Sequence, residues 1–104
     1  MLSPIDFGSD TFFEGDLAQT NCVLRKGDRP VVFSWLFDGH LLTSSQDVEI
    51  VSVGGRTSLL TLDPVRGHHQ GNYTCRASNG AGSSDVSSAI LVNGTKIKLD
   101  LQIY

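Results

Sequence analysis

Two cysteines, Cys22 and Cys75, are all that the chain contains, and a tyrosine stands two places before the second of them in the stretch GNYTC, residues 71–75. They fall in separate strand-like segments, so in an oxidising compartment a bridge between them would pin two β-layers together across a core. In a reducing compartment the same residues would be two buried free thiols. On the chain-entropy account a covalent loop of this length contributes roughly 4 kcal/mol to stability.

The order of the remaining residues favours strands throughout. No segment sustains apolar spacing at three and four residues, whereas short runs rich in Val, Ile, Thr and Phe alternate with polar positions and end in Gly, Asn, Asp or Ser. Strands are expected near Thr11–Phe13, Leu17–Arg25, Val31–Phe37, Asp47–Val53, Thr57–Leu62, Gly71–Ser78 and Ser84–Val92. The turns KGDRP, DGH, GGR and SNGAG would join them. Seven strands so spaced predict an all-β fold, a two-sheet antiparallel sandwich.

The period of two then separates inside from outside. Ala18, Thr20, Cys22 and Leu24 share the face fixed inward by Cys22, and Phe33 with Trp35, Leu60 with Leu62, and Tyr73 with Cys75 and Ala77 complete the expected core. The opposite positions fall on the sheet expected from the first, second, fourth and fifth strands: Leu17, Gln19, Asn21 and Val23, then Glu49, Val51 and Val53, then Thr57, Leu59 and Thr61. Five of these are aliphatic, enough for a contiguous contact patch, and a one-residue slip in register would instead send them inward.

Other chemistry is sparse. A chain of 104 residues makes one domain, and a net charge of −3 with scattered basic residues argues against a nucleic-acid partner. No apolar run is long enough to span a bilayer and the first ten residues lack the pattern of a signal peptide, so the chain reads as an excised piece whose parent could carry a signal, further domains and an anchor. Adjacent His68 and His69 would point to opposite faces of a strand, and no spaced His or Cys pair completes a tetrahedral set, so no metal is expected. Asp6, Asp10, Glu14, Asp16 and Glu49 fall in loops or at outward positions and form no catalytic pair; neither enzymatic activity nor a cofactor is expected. Asn72 in NYT and Asn93 in NGT are glycosylation sequons, with Asn72 alternating outward from Tyr73 and Cys75.

Cys22, Trp35, Tyr73 and Cys75 in this order resemble the framework of the immunoglobulin fold, in which a tyrosine at a sheet corner bonds a backbone acceptor and fixes the strand that carries the bridge. WLFDG (35–39), SLLTLDPV (58–65), GNYTC and CRASNGAG (75–82) resemble intermediate-set immunoglobulin domains of adhesion receptors and muscle proteins over residues 3 to 92. More narrowly, PIDFG, WLFDG and VRGHHQGNYTC resemble the variable adhesive domains of arthropod Dscam proteins, especially the seventh domain and its counterpart at the tip of the shortened chelicerate forms. His69 stands where intermediate-set domains usually carry Asp, as the Dscam pattern often does, and removes a common Arg–Asp ion pair.

That resemblance implies an extracellular part of a cell-surface protein, reaching the membrane only through segments outside this piece. It implies homophilic binding in which two copies of one isoform meet antiparallel through the outward face just described, with Leu17, Gln19, Asn21, Val23, Glu49, Val51, Val53, Leu59 and Thr61 as the interface. An intracellular muscle domain with reduced cysteines and an immune or ligand receptor binding through its turns are the alternatives. The domain is expected over residues 1–92. Residues 93–104 form a tail unlike a linker into a following domain, in which Ile97, Leu99, Leu101 and Ile103 alternate as a strand added to a sheet edge would.

Overall fold

The structure, a computed structural model, describes residues 2–26 and 30–93. Eight strands occur among them: β1 (Thr11–Phe13), β2 (Ala18–Val23), β3 (Val32–Phe37), β4 (His40–Leu42), β5 (Val48–Val53), β6 (Thr57–Leu62), β7 (Gly71–Asn79) and β8 (Gly82–Asn93). One sheet runs β1-β8-β7-β3-β4 and the other β2-β6-β5. The expected sandwich is the fold, and the Cys22–Cys75 disulfide ties β2 of the smaller sheet to β7 of the larger, with the Cα atoms 6.4 Å apart.

The alternation read from the sequence places the core. Ala18, Thr20, Cys22, Leu60, Leu62, Tyr73, Cys75 and Ala77 are buried, and Trp35, Val65 and Ile90 fill the space between the sheets. Ser58 is buried with them because it accepts the Trp35 Nε1–H at 2.9 Å, which satisfies the one polar atom of the indole. Phe37 stacks at a tilt on Tyr73 with ring centroids 4.9 Å apart, and Phe7 meets the same ring edge-on at 5.5 Å.

Three expectations are corrected. Thr11–Phe13 does not join the smaller sheet: β1 pairs in parallel with β8, Thr11 opposite Leu91, so that sheet has three strands, extended by isolated bridges from Leu2 to Leu24 and from Ser45 to Val48. The N-terminal segment thus changes sheets between residues 3 and 11, and a three-residue strand has too few alternating positions to show which sheet it serves. Secondly, DGH is not merely a turn. Asp38 and Gly39, with φ of 50° and 85°, make the two-residue reversal whose twist suits a hairpin, and His40–Leu42 returns along β3 as an eighth strand. Thirdly, His68 and His69 lie in a 3-10 turn, Gly67–His69, rather than a strand, so their rings converge instead of diverging.

Within the smaller sheet, the exposed edge of β5 is partly occupied by the chain that precedes it. Ser45 exchanges backbone bonds with Val48, and Ser44 Oγ accepts the Ile50 N–H at 3.2 Å. These contacts remove outward-facing backbone groups that could recruit a foreign strand.

Candidate functional site

Antiparallel pairing of β2, β6 and β5 sets the outward side chains in rows: Val23, Thr57 and Val53; Asn21, Leu59 and Val51; Gln19, Thr61 and Glu49. Leu17 continues the first column just ahead of β2. Leu17, Val51 and Val53 are 57%, 40% and 54% exposed, while Val23 and Leu59 are half-buried among their neighbours. The register has not slipped, and all five aliphatics lie on the outer side. Gln19 Nε2 donates to Thr61 Oγ1 at 2.9 Å, a cross-strand bond that commits one of the two amides, whereas the Asn21 side chain stays exposed in the middle row. The face therefore carries a polar row of Gln19, Thr61 and Glu49 between the aliphatics of the two upper rows and Leu17 beyond.

The larger sheet turns a different surface outward. Thr74 and Ser87 share a hydroxyl hydrogen bond of 2.8 Å, and Arg76 grips Asp85 through two bonds of 2.9 and 3.2 Å. Both pairs cross from β7 to β8, and the same sheet exposes Val32, Leu41 and Leu91. Asn72 lies exposed on this surface, with its backbone N–H donated to Asp38 Oδ1 and its carbonyl accepting from Asp38 N–H. Asn93 is exposed at the end of β8, and the remainder of its sequon is outside the described residues.

Sequence reasoning missed one cluster, because it is assembled from segments some twenty residues apart. Asp47, at the entrance to β5, brings Oδ2 to 3.3 Å from His68 Nε2 and 3.4 Å from His69 Nε2. His69 is buried, 3% exposed, and its Nδ1 accepts the Arg66 N–H at 2.8 Å, the bond that a Gln or Glu makes in a capping box. Its carbonyl accepts the buried Tyr73 hydroxyl at 2.6 Å, so the tyrosine corner hangs on this residue. Burial pushes the Tyr73 hydroxyl up, with Asp38 and Asp47 adding to it, and it remains a donor. Burial, followed by the neighbouring His68, pushes His69 down, against the pull of Asp47. Burial works to raise Asp47, yet His69, a backbone bond, His68 and Ser45 together hold its carboxyl below the ordinary value.

One ligand atom from each of these three residues lies within 4.8 Å of the others, close enough to suggest a metal. The proton count argues otherwise. A histidine that binds metal through Nε2 presents Nδ1–H to an acceptor. Here Nδ1 faces a backbone donor, so neutral His69 carries its proton on Nε2. Metal at Nε2 would set N–H against N–H, and the arrangement suits a proton rather than a cation.

Comparison with known proteins gives the following. Residues 5–79 match the family model described as immunoglobulin domain. The cell adhesion molecule Dscam1 of Drosophila melanogaster is 36% identical over 86% of this chain, which spans 4% of that relative. The muscle M-line assembly protein unc-89 of Caenorhabditis elegans is 32% identical over 78% of the chain, which spans 1% of it. Among solved structures, the Ig7 domain of Dscam1, isoform 5, superposes with a TM-score of 0.86 at 31% identity, covering 89% of this chain and 95% of that one.

Proposed function

We propose, from the premise that this chain belongs to the immunoglobulin domain family and resembles the seventh immunoglobulin domain of Dscam1, that it is an extracellular recognition module of a cell adhesion molecule and binds a second copy of itself. The contact is made through the outer face of β2, β6 and β5, with the two copies antiparallel. The observation that carries this reading is the set of exposed and half-buried aliphatics, Leu17, Val23, Val51, Val53 and Leu59, on the outer face of a sheet whose β5 edge is partly occupied.

Burying such a face on its twin removes apolar surface from water, and the two-fold axis repeats every contact. Asn21, in the middle row, can donate to and accept from a partner amide, and Glu49 towards the rim penalises a partner of like charge. One small sheet makes a weak contact, so adhesion between cells rests on many copies acting together. Glycans on Asn72 or Asn93 would sit away from this face, since Asn72 is on the opposite sheet and Asn93 ends β8.

Sedimentation equilibrium tests the reading. The domain is expected to dimerise with concentration, and Val51→Asp is expected to leave a folded monomer with an unchanged circular dichroism spectrum. A wild-type domain that stays monomeric at millimolar concentration would overturn it.

The likeness to unc-89 favours a second reading, a structural domain of a muscle protein. The disulfide weighs against it, since such bonds are rare in reducing compartments. Thiol counting on the native protein decides between them.

A further inference from the structure

We infer that the Asp47–His68–His69 corner is an acid-sensitive latch, in which proton uptake at His69 Nδ1 releases the turn at residues 66–70 and, with it, the hydrogen bond that anchors Tyr73. Three connections make His69 the keystone. Its Nδ1 accepts from Arg66 N–H at 2.8 Å, its N–H closes the turn on Arg66 O at 2.9 Å, and its carbonyl receives the Tyr73 hydroxyl at 2.6 Å. A second proton on the ring must go to Nδ1, where it meets the Arg66 N–H head on. The turn cannot keep its form and hold that proton.

The surroundings give the latch its direction. Among the described residues Asp47 is the one carboxylate in ion-pair reach of the ring, at 3.4 Å, and it is shared with His68 at 3.3 Å. Arg66 adds positive charge from the same turn, and Glu14 approaches Gly67 from the β1–β2 turn. Asp63 reaches Asp47 through its backbone N–H, Tyr73 contributes a neutral hydroxyl, and β8 contributes the Val92 N–H to Gln70 Oε1. His69 Nε2, buried and without a well-aligned acceptor, gains little from Asp47 in the neutral state. With the folded ring held below its ordinary value of about 6.5, the unfolded chain takes up the proton first. The stabilisation is therefore complete above that pH and is withdrawn as the pH falls through it towards the folded value. This inference is independent of self-association, because its readouts belong to the single domain.

Thermal unfolding of wild type and of His69→Gln at about pH 7.5 and about pH 5 tests it. Gln can accept the Arg66 N–H without titrating. The variant is expected to fold at neutral pH and to lose about half or more of the acid-induced fall in melting temperature, whereas His68→Gln, which leaves the burial and the Nδ1 bond of His69 in place, keeps the larger part of that fall. Nitrogen-15 spectra of wild type at neutral pH are expected to show His69 with its proton on Nε2, which keeps the inference open to refutation even where the variant does not fold. A proton on Nδ1, or an equal fall in wild type and His69→Gln, would overturn it. So would stabilisation by equimolar zinc that the substitution abolishes.

Discussion

Trp35 and Ser58 show what one buried hydrogen bond does for a sandwich core. The indole N–H lies 2.9 Å from Ser58 Oγ with both residues out of water, so Ser58→Ala leaves a buried donor with no acceptor. Urea unfolding is expected to show a loss of about 1–3 kcal/mol, larger than a surface Ser→Ala change produces. Tyr73→Phe removes the donor to the His69 carbonyl and is expected to lose about 1 kcal/mol in the same assay. The two residues were unequally legible. Tyr73 announces itself by its spacing from Cys75, because its role depends on positions adjacent in sequence. His69 does not, because its chemistry depends on Asp47, brought alongside only when β5 and the turn before β7 meet in three dimensions.

Among the elements, the start of β7 is the most constrained. Gly71 has a φ of 154°, and a Cβ there would stand 2.6 Å from Phe37 Cε1 and 2.8 Å from both Asp38 carboxylate oxygens. Neither neighbour can yield freely, since Phe37 is packed on Tyr73 and Asp38 Oδ1 holds the Asn72 N–H. Gly71→Ala is expected to destabilise by about 1–3 kcal/mol in chemical denaturation, through overpacking and backbone strain together. Strand faces in β2, β5, β6 and β7 were legible because an alternation of two either fits a buried face or fails along its whole length. Elements of three residues carry no such redundancy. Only His40 of β4 was read, as the end of a turn, and β1 was read into the wrong sheet, since its place depends on a parallel pairing with β8 that no local pattern encodes.

The whole molecule exposes apolar side chains on both sheets: Leu17, Val51 and Val53 on or beside the smaller, and Phe13, Val32, Leu41 and Leu91 on the larger. On the larger sheet Thr74 bonds Ser87 and Arg76 bonds Asp85, so these four side chains already have partners and gain little from new ones. On the smaller sheet the apolar groups gain burial from any flat partner that matches them. The aliphatic set and the three strands that carry it were legible in the sequence; that the first strand lies in the other sheet, and that Gln19 is held by Thr61, were not. If the smaller sheet is the recognition face, charge should act asymmetrically. Val51→Asp places a carboxylate in the middle row, where the two-fold axis sets each copy's charge close to its counterpart, and the dimer dissociation constant is expected to rise by about tenfold or more. Ser87→Asp places the same charge on the far side of an 11.2 kDa domain, with the disulfide and core between, and is expected to leave that constant within about twofold. Sedimentation equilibrium at about 0.15 M salt compares the two, because screening there confines each charge to its own face. Equal weakening by both would assign self-association to net charge rather than to a surface, and weakening by Ser87→Asp alone would move the recognition face to the larger sheet.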